Sequence, residues 1–212
     1  ISFKYFYKVK TVKKIAFQGS KGAYSEQALY SHFGQEVQAV PLNLSEQVCE
    51  AVRDKEVDGA ILPVENSIIG NIDLNVDLIY KNNVFAINEH YQQIAHCLLA
   101  RPGIKLDVIK TVHSHPAALS QCRDFLNRHD INAHADYDTA GACKRLIKKE
   151  STRHGVIASE LCCKYYDLEV VERHIQKVQN NYTRFLVVVH KDNYEKLTSK
   201  ENIDEKISMA FA

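Results

Sequence analysis

From Lys14 onward, short apolar runs rich in β-branched residues alternate with segments whose apolar positions recur every three or four residues. That is the pattern of an α/β sheet with helices on its faces. The first unit reads as a strand at 15–18, a turn at 19–22 and a helix at 23–33 that Gly34 stops. A strand at 37–40 follows, then a helix at 45–55 with Ser45 as its N-cap, since a hydroxyl accepts from a free first-turn amide, then a strand at 59–62. Residues 63–70 read as a loop after that strand, 71–80 as helix, and 84–88 and 94–100 as extended chain. The Arg101-Pro102-Gly103 turn is the expected lobe boundary. Beyond it, strands at 108–112, 131–135 and 156–158 alternate with helices at 116–127, 139–149 and 159–165.

Residues 182–190 are the most strand-like run, and they come after the second α/β set has closed. Their return to the first lobe would divide the chain into a lobe of about 14–100 plus 180–190 and a lobe of about 101–179. The expected fold is therefore α/β, two doubly wound lobes with a cleft between them in which a small molecule can be enclosed. Residues 191–199 are polar and linker-like, and KISMAFA at 206–212 starts like a strand with nothing to pair with. Residues 191–212 are thus expected to be a linker and the edge of a further domain.

Composition narrows the class. Of 212 residues, 45% are hydrophobic and 25% charged, which excludes disordered and low-complexity chains. Lys plus Arg at 27 against Asp plus Glu at 26 leaves no basic excess for phosphate backbones or anionic lipid, so neither nucleic acid nor membrane is expected as a partner. The longest apolar runs, such as 185–189, fall far short of the roughly 20 residues that span a bilayer. Residues 1–14 lack an apolar core with a cleavage site, so they read as a mature or truncated start of a cytoplasmic protein. The six cysteines contain no C-x-x-C pair, which fits buried, reduced thiols.

The polar motifs fall where strands end or begin. PVENSIIG at 63–70 sets the Glu65 carboxylate, the Asn66 amide and the Ser67 hydroxyl in succession where open α/β sheets bind ligands; the same groups also suit a loop that caps the next helix. GSKGAYS at 19–25 resembles an anion-cradling turn at a helix N-terminus. His113-Ser114-His115-Pro116 puts two imidazoles at i and i+2, on one side of a strand. No further ligands stand at recognisable spacing and Pro116 suits a turn opening a helix, so no metal site is expected. Asp138-Thr139-Ala140-Gly141-Ala142 reads as an N-cap with its first helical turn. In NNYTRF at 180–185, a regular strand sends Thr183 and Phe185 to one face and Arg184 to the other. Thr183 and Arg184 can line one pocket only if a bend or bulge intervenes.

Taken in this order over residues 14–190, GSKGAYS, PVENSIIGNI, HSHPAALSQC, DTAGA and NNYTRF resemble the prephenate dehydratase family. The resemblance implies a catalytic domain of two lobes like the type II periplasmic binding proteins, an active site in the cleft, and a homodimer or homotetramer. It implies a C-terminal ACT domain that binds phenylalanine, of which only KISMAFA is similar to a first strand; the phenylalanine-binding motifs are missing, so feedback control does not carry over. The family's first motif commonly has proline where this chain has Ser20.

The implied reaction removes the ring hydroxyl of prephenate as water and its ring carboxylate as carbon dioxide. Aromatisation drives it, so neither cofactor nor Lewis acid is required. It needs a proton or strong hydrogen bond at the leaving hydroxyl, a dry wall at the departing carboxylate, and donors for the side-chain carboxylate. Following the family, Thr183 contacts the leaving hydroxyl, with Glu65 or His115 as proton source. Asn66, Ser67, Ser114 and Thr139 hydrogen-bond substrate, Phe185 shapes the apolar wall, and Arg184 either clamps a carboxylate or braces the strand, the clamp being slightly favoured. Arogenate dehydratase, a non-catalytic two-lobed binding protein and an inactive phenylalanine sensor are the alternatives.

Overall fold

The structure, a computed structural model, describes residues 14–148 and 151–198. These residues form two sheets. The first has the order β2-β1-β3-β11-β5: β1 (Lys14–Gln18), β2 (Gln38–Leu42) and β3 (Gly59–Asn66) are parallel. β11 (Tyr182–His190) lies antiparallel between β3 and β5 (Val84–Gln93), and the short β4 (Gly70–Asn71) pairs with β3. The second has the order β10-β6-β9-β7-β8: β7 (Thr111–Ser114), β8 (Asn132–Ala135) and β9 (His154–Ala158) are parallel, β6 (Cys97–Ala100) is antiparallel to β9, and β10 (Glu169–Glu172) is antiparallel to β6.

The central strands of each sheet are buried on both faces, which is why they read as continuous apolar runs, whereas the edge strand β8 is exposed along its length. In the first sheet, Ile15, Phe17, Ile61, Phe185 and Val187 pack with Ala28 and Leu29 of α1 (Tyr24–Phe33). The alternate residues Ala16, Ala60, Leu62 and Val188 pack with Val48 and Val52 of α2 (Ser45–Arg53) and Leu78 of α3 (Asp73–Lys81). In the second sheet, Leu98, Val112 and Ile157 face α4 (Pro116–Gln121) and α5 (Arg123–Arg128), while Leu99, Val156 and Ala158 face α6 (Thr139–Leu146). Both lobes are doubly wound, as the sequence pattern implied.

Several boundaries differ from the sequence reading. β3 continues as strand through 63–66, β5 runs on to Gln93, the strand expected at 108–112 is Thr111–Ser114 behind a 3₁₀ turn at Leu106–Val108, and β10 is an addition. The chain changes sheets at residues 94–96, because β6 already belongs to the second sheet; the Arg101 turn lies inside the second lobe. Helix α2 starts after Leu44, whose N–H donates to Gln47 Oε1 at 3.2 Å, so Ser45 sits in the first turn and is no cap. The helix at 116–127 is two helices separated at Cys122, and 159–165 holds a 3₁₀ turn, Glu160–Lys164. Residues 191–198 are no linker but helix α7 (Lys191–Thr198), seated on the first lobe by Tyr194 against Phe85, with ring centroids 5.1 Å apart. The readings of residues 1–13 and of KISMAFA lie outside the described residues.

Candidate active site at the junction of the two sheets

The decisive local feature is a bulge in β3. Arg184 pairs with Glu65 but Phe185 pairs with Pro63, so Val64 is an extra residue on β3. Proline has no N–H for the ladder, which makes this a cheap place to interrupt it. The carbonyls here are satisfied from outside the sheet, Pro63 O by Asn75 Nδ2 at 2.7 Å and Val64 O by Ile72 N at 2.9 Å. The extra residue exchanges faces for everything beyond it. Asn66 comes opposite Thr183, on the α1 face, and Glu65 comes opposite Arg184, on the other.

On the α1 face, Asn66 is fully committed. Its Oδ1 accepts from Ile68 N and Ile69 N, both at 3.0 Å, and its Nδ2 donates to Thr183 Oγ1 at 2.9 Å and Asn181 Oδ1 at 2.8 Å. Asn181, wholly buried, donates through Nδ2 to Gln121 Oε1 at 2.9 Å, at the end of α4 in the second lobe. The same oxygen lies 2.9 Å from His96 Nε2, and His96 Nδ1 lies 2.8 Å from the Tyr24 hydroxyl on α1. Burial lowers the His96 pKa to about 4 and raises that of Tyr24, so both are neutral near pH 7. A charge-free polar chain therefore joins both crossovers to Thr183.

The opposite face is charged. Arg184 Nε lies 3.1 Å from Glu65 Oε2 and its Nη1 3.3 Å from Glu89 Oε2. Arg184 thus makes the contacts of a brace, and the Glu65 carboxylate is engaged with it on the face opposite Thr183.

The loops at the carboxyl ends of β1 and β9 meet between the lobes. Ser159 Oγ donates to Gly22 O at 2.5 Å, Tyr166 Oη to Lys21 O at 3.0 Å, and Tyr165 Oη to Glu26 Oε1 at 2.9 Å. Gly22 has φ +89° and a Cβ there would stand 2.6 Å from Cys162 Sγ, so this approach requires glycine. The other Glu26 oxygen accepts from Gly22 N at 2.6 Å, so the turn expected to cradle an anion holds the chain's own carboxylate. In the second lobe, Asp138 Oδ1 caps α6 through Gly141 N, and a Cβ on Gly141 would overlap that carboxylate.

The other predicted side chains are distributed as follows. Ser114 is buried and donates to Ile157 O at 2.6 Å, joining β7 to β9. Ser67 Oγ accepts from Tyr182 N at 2.9 Å, closing the β3 turn onto β11. Both hydroxyls brace backbone. His115 caps α4, its Nδ1 accepting from Ala117 N at 3.2 Å, whereas His113 stacks on His154, so the two imidazoles do not converge. Thr139 is the first residue of α6. Phe185 is 1% exposed within the α1 core, beneath Thr183 rather than at a cleft wall. The structure therefore brings Asn66 and Thr183 together and separates both from Glu65 and Arg184. The members missed, Asn181, Gln121, Tyr24 and His96, carried a signal: the first three lie in the quoted motifs, and His96 interrupts an apolar run, IAHCLLA.

Residues 15–193 match the family model described as prephenate dehydratase. The chain is 38% identical over 175 residues to Arabidopsis thaliana "Arogenate dehydratase/prephenate dehydratase 2, chloroplastic", covering 82% of this chain and 46% of that one. Among solved structures, one described as GqqA, a novel type of quorum quenching acylases, superposes with TM-score 0.78 at 30% identity, covering 84% of this chain and 64% of that one. Prephenate dehydratase from Arthrobacter aurescens in complex with L-Phe superposes with TM-score 0.77 at 27% identity, covering 84% and 60%. The chain spans about half the length of the curated relatives it matches.

Proposed function

The chain belongs to the prephenate dehydratase family, and from that membership we propose that it converts prephenate to phenylpyruvate, water and carbon dioxide. The observation that carries the proposal is the polarity at Thr183. Its Oγ1 accepts from Asn66 Nδ2, so its own proton is free to be donated to a bound ligand. In the reaction the ring C–O bond breaks, one proton converts the departing hydroxide to water, and the C–C bond to the ring carboxylate supplies the electron pair that completes the aromatic ring. A threonine is too weak an acid to lose its proton outright near pH 7, so Thr183 passes or orients one. Glu65, paired with Arg184 across the sheet, is not the source. His115 takes that role only as imidazolium, when Nδ1 takes up a proton, releases Ala117 N and makes Nε2–H acidic enough to give. The Thr139 hydroxyl, beside the Asp138 cap of α6, donates to the side-chain carboxylate.

Arogenate is the second substrate to test, since relatives at 38% identity are named arogenate dehydratases. A homodimer or homotetramer, and a cytoplasmic location supported by six free thiols, complete the proposal. No helix among the described residues is long and apolar enough to cross a membrane. The test is to incubate the purified chain with prephenate and with arogenate and follow phenylpyruvate and phenylalanine. Phenylpyruvate formation supports the proposal; turnover of arogenate alone transfers it to the amine substrate, and binding without turnover makes the chain a binding protein.

A further inference from the structure

The amide chain behind Thr183 has a direction that its first member fixes. Asn66 Oδ1 receives two backbone N–H groups, which can only donate, so Asn66 cannot be turned over without leaving both unpaired. Asn66 therefore presents Nδ2 to Thr183 and to Asn181, which accepts with Oδ1 and has only Nδ2 left for Gln121. Gln121 must answer with its oxygen. The His96 Nε2 facing that same oxygen must then carry a proton, and in the neutral ring Nδ1 is the bare nitrogen, so the single Tyr24 hydroxyl proton goes to it at 2.8 Å rather than to Ala95 O at 3.0 Å.

We propose that His96, held as the Nε2–H tautomer between Tyr24 and Gln121, is a positioning residue that locks the amide chain and thereby keeps the Thr183 proton free for the substrate. The fixed direction matters because, reversed, the same amides would offer Thr183 an acceptor and draw its hydroxyl proton inward. His96 sits on one crossover and Asn181 on the other, with Ile94 N donating to Asn181 O at 2.8 Å, so the lock also ties the orientation of Thr183 to the junction of the lobes. This inference rests on the dehydratase reading for its kinetic part and on geometry alone for its spectroscopic part.

The experiment has two arms on the full chain. In the first, ¹⁵N chemical shifts of the His96 ring are read near pH 7, needing no substrate. The expected result is a protonated Nε2 and a bare Nδ1 in the wild type, and a proton on Nδ1 in folded Asn181→Asp, whose carboxylate forces the Gln121 amide to turn over. A wild-type ring protonated on Nδ1, or a bare Nδ1 in folded Asn181→Asp, overturns the proposal. In the second arm, His96→Leu should lower kcat on prephenate roughly 10-fold with KM nearly unchanged. His96→Gln, which restores a donor toward Gln121, should recover at least part of it. A folded His96→Leu enzyme with wild-type kcat also overturns the proposal. Absence of wild-type turnover with the tautomer as expected would instead sink the dehydratase reading and leave the polarity of the chain standing.

Discussion

Thr183 and Arg184 are neighbours in sequence and live in opposite chemistry. Thr183 is 8% exposed and held by neutral amides that reach to the second lobe. Arg184 stands on the other face between two carboxylates, with a quarter of its side chain exposed. A neutral network can be buried because every donor meets an acceptor at little desolvation cost, and it fixes direction. A charged pair keeps its solvent and contributes only modest stability. The neutral face positions and the charged face braces.

The largest effect is expected at Thr183. Thr183→Ala should lower kcat on prephenate by roughly 10²-fold or more with KM little changed, and Thr183→Ser should keep much of the activity. Steady-state kinetics combined with melting temperature check this, because loss of a strand position alone lowers stability and leaves kcat per folded molecule unchanged.

Next in size is Asn66→Leu. It strips the acceptor from Ile68 N and Ile69 N and the donor from Asn181, so stability should fall by about 2 kcal/mol or more in urea unfolding, together with kcat.

A smaller effect follows from pH. His96 and His32 have folded pKa values of about 4, below the unfolded 6.5, chiefly through burial. Between those values the unfolded chain binds protons that the folded chain does not. Stability should therefore be full above about pH 6.5 and fall as the pH drops toward 4. Replacing His32 by Phe should flatten part of that slope in denaturant titrations across the range.

The smallest stability effect belongs to the charged face. Arg184→Met should cost about 1 kcal/mol or less, with the difference from wild type shrinking in high salt and KM for prephenate within about twofold. A large rise in KM would restore Arg184 to the substrate carboxylate.

Much of this was legible in the sequence, for physical reasons. Strands buried on both faces read as uninterrupted apolar runs, so residues 59–62 and 182–190 announced themselves, and the return of β11 to the first sheet followed from order along the chain. The two sides of PVEN were not legible. Whether Asn66 or Glu65 meets Thr183 depends on a bulge at Val64 that exists only against β11, more than a hundred residues away, and no local pattern encodes a long-range register. Helix α7 was hidden because it is mostly polar; Tyr194 against Phe85 and Asp192 against Lys55 hold it to the lobe. His96 stood in plain sight within IAHCLLA, yet an imidazole in an apolar run looks the same whether it fills a core or anchors a network.

The most direct test of the division between the two faces is the kcat of Glu65→Gln on prephenate, measured across pH beside the wild type. With Glu65 paired to Arg184 and turned from Thr183, the expected result is a kcat within about threefold of wild type and an unchanged pH profile. A loss of roughly 10²-fold in a variant with wild-type melting temperature would make Glu65 the proton source and contradict the assignment of catalysis to the neutral face.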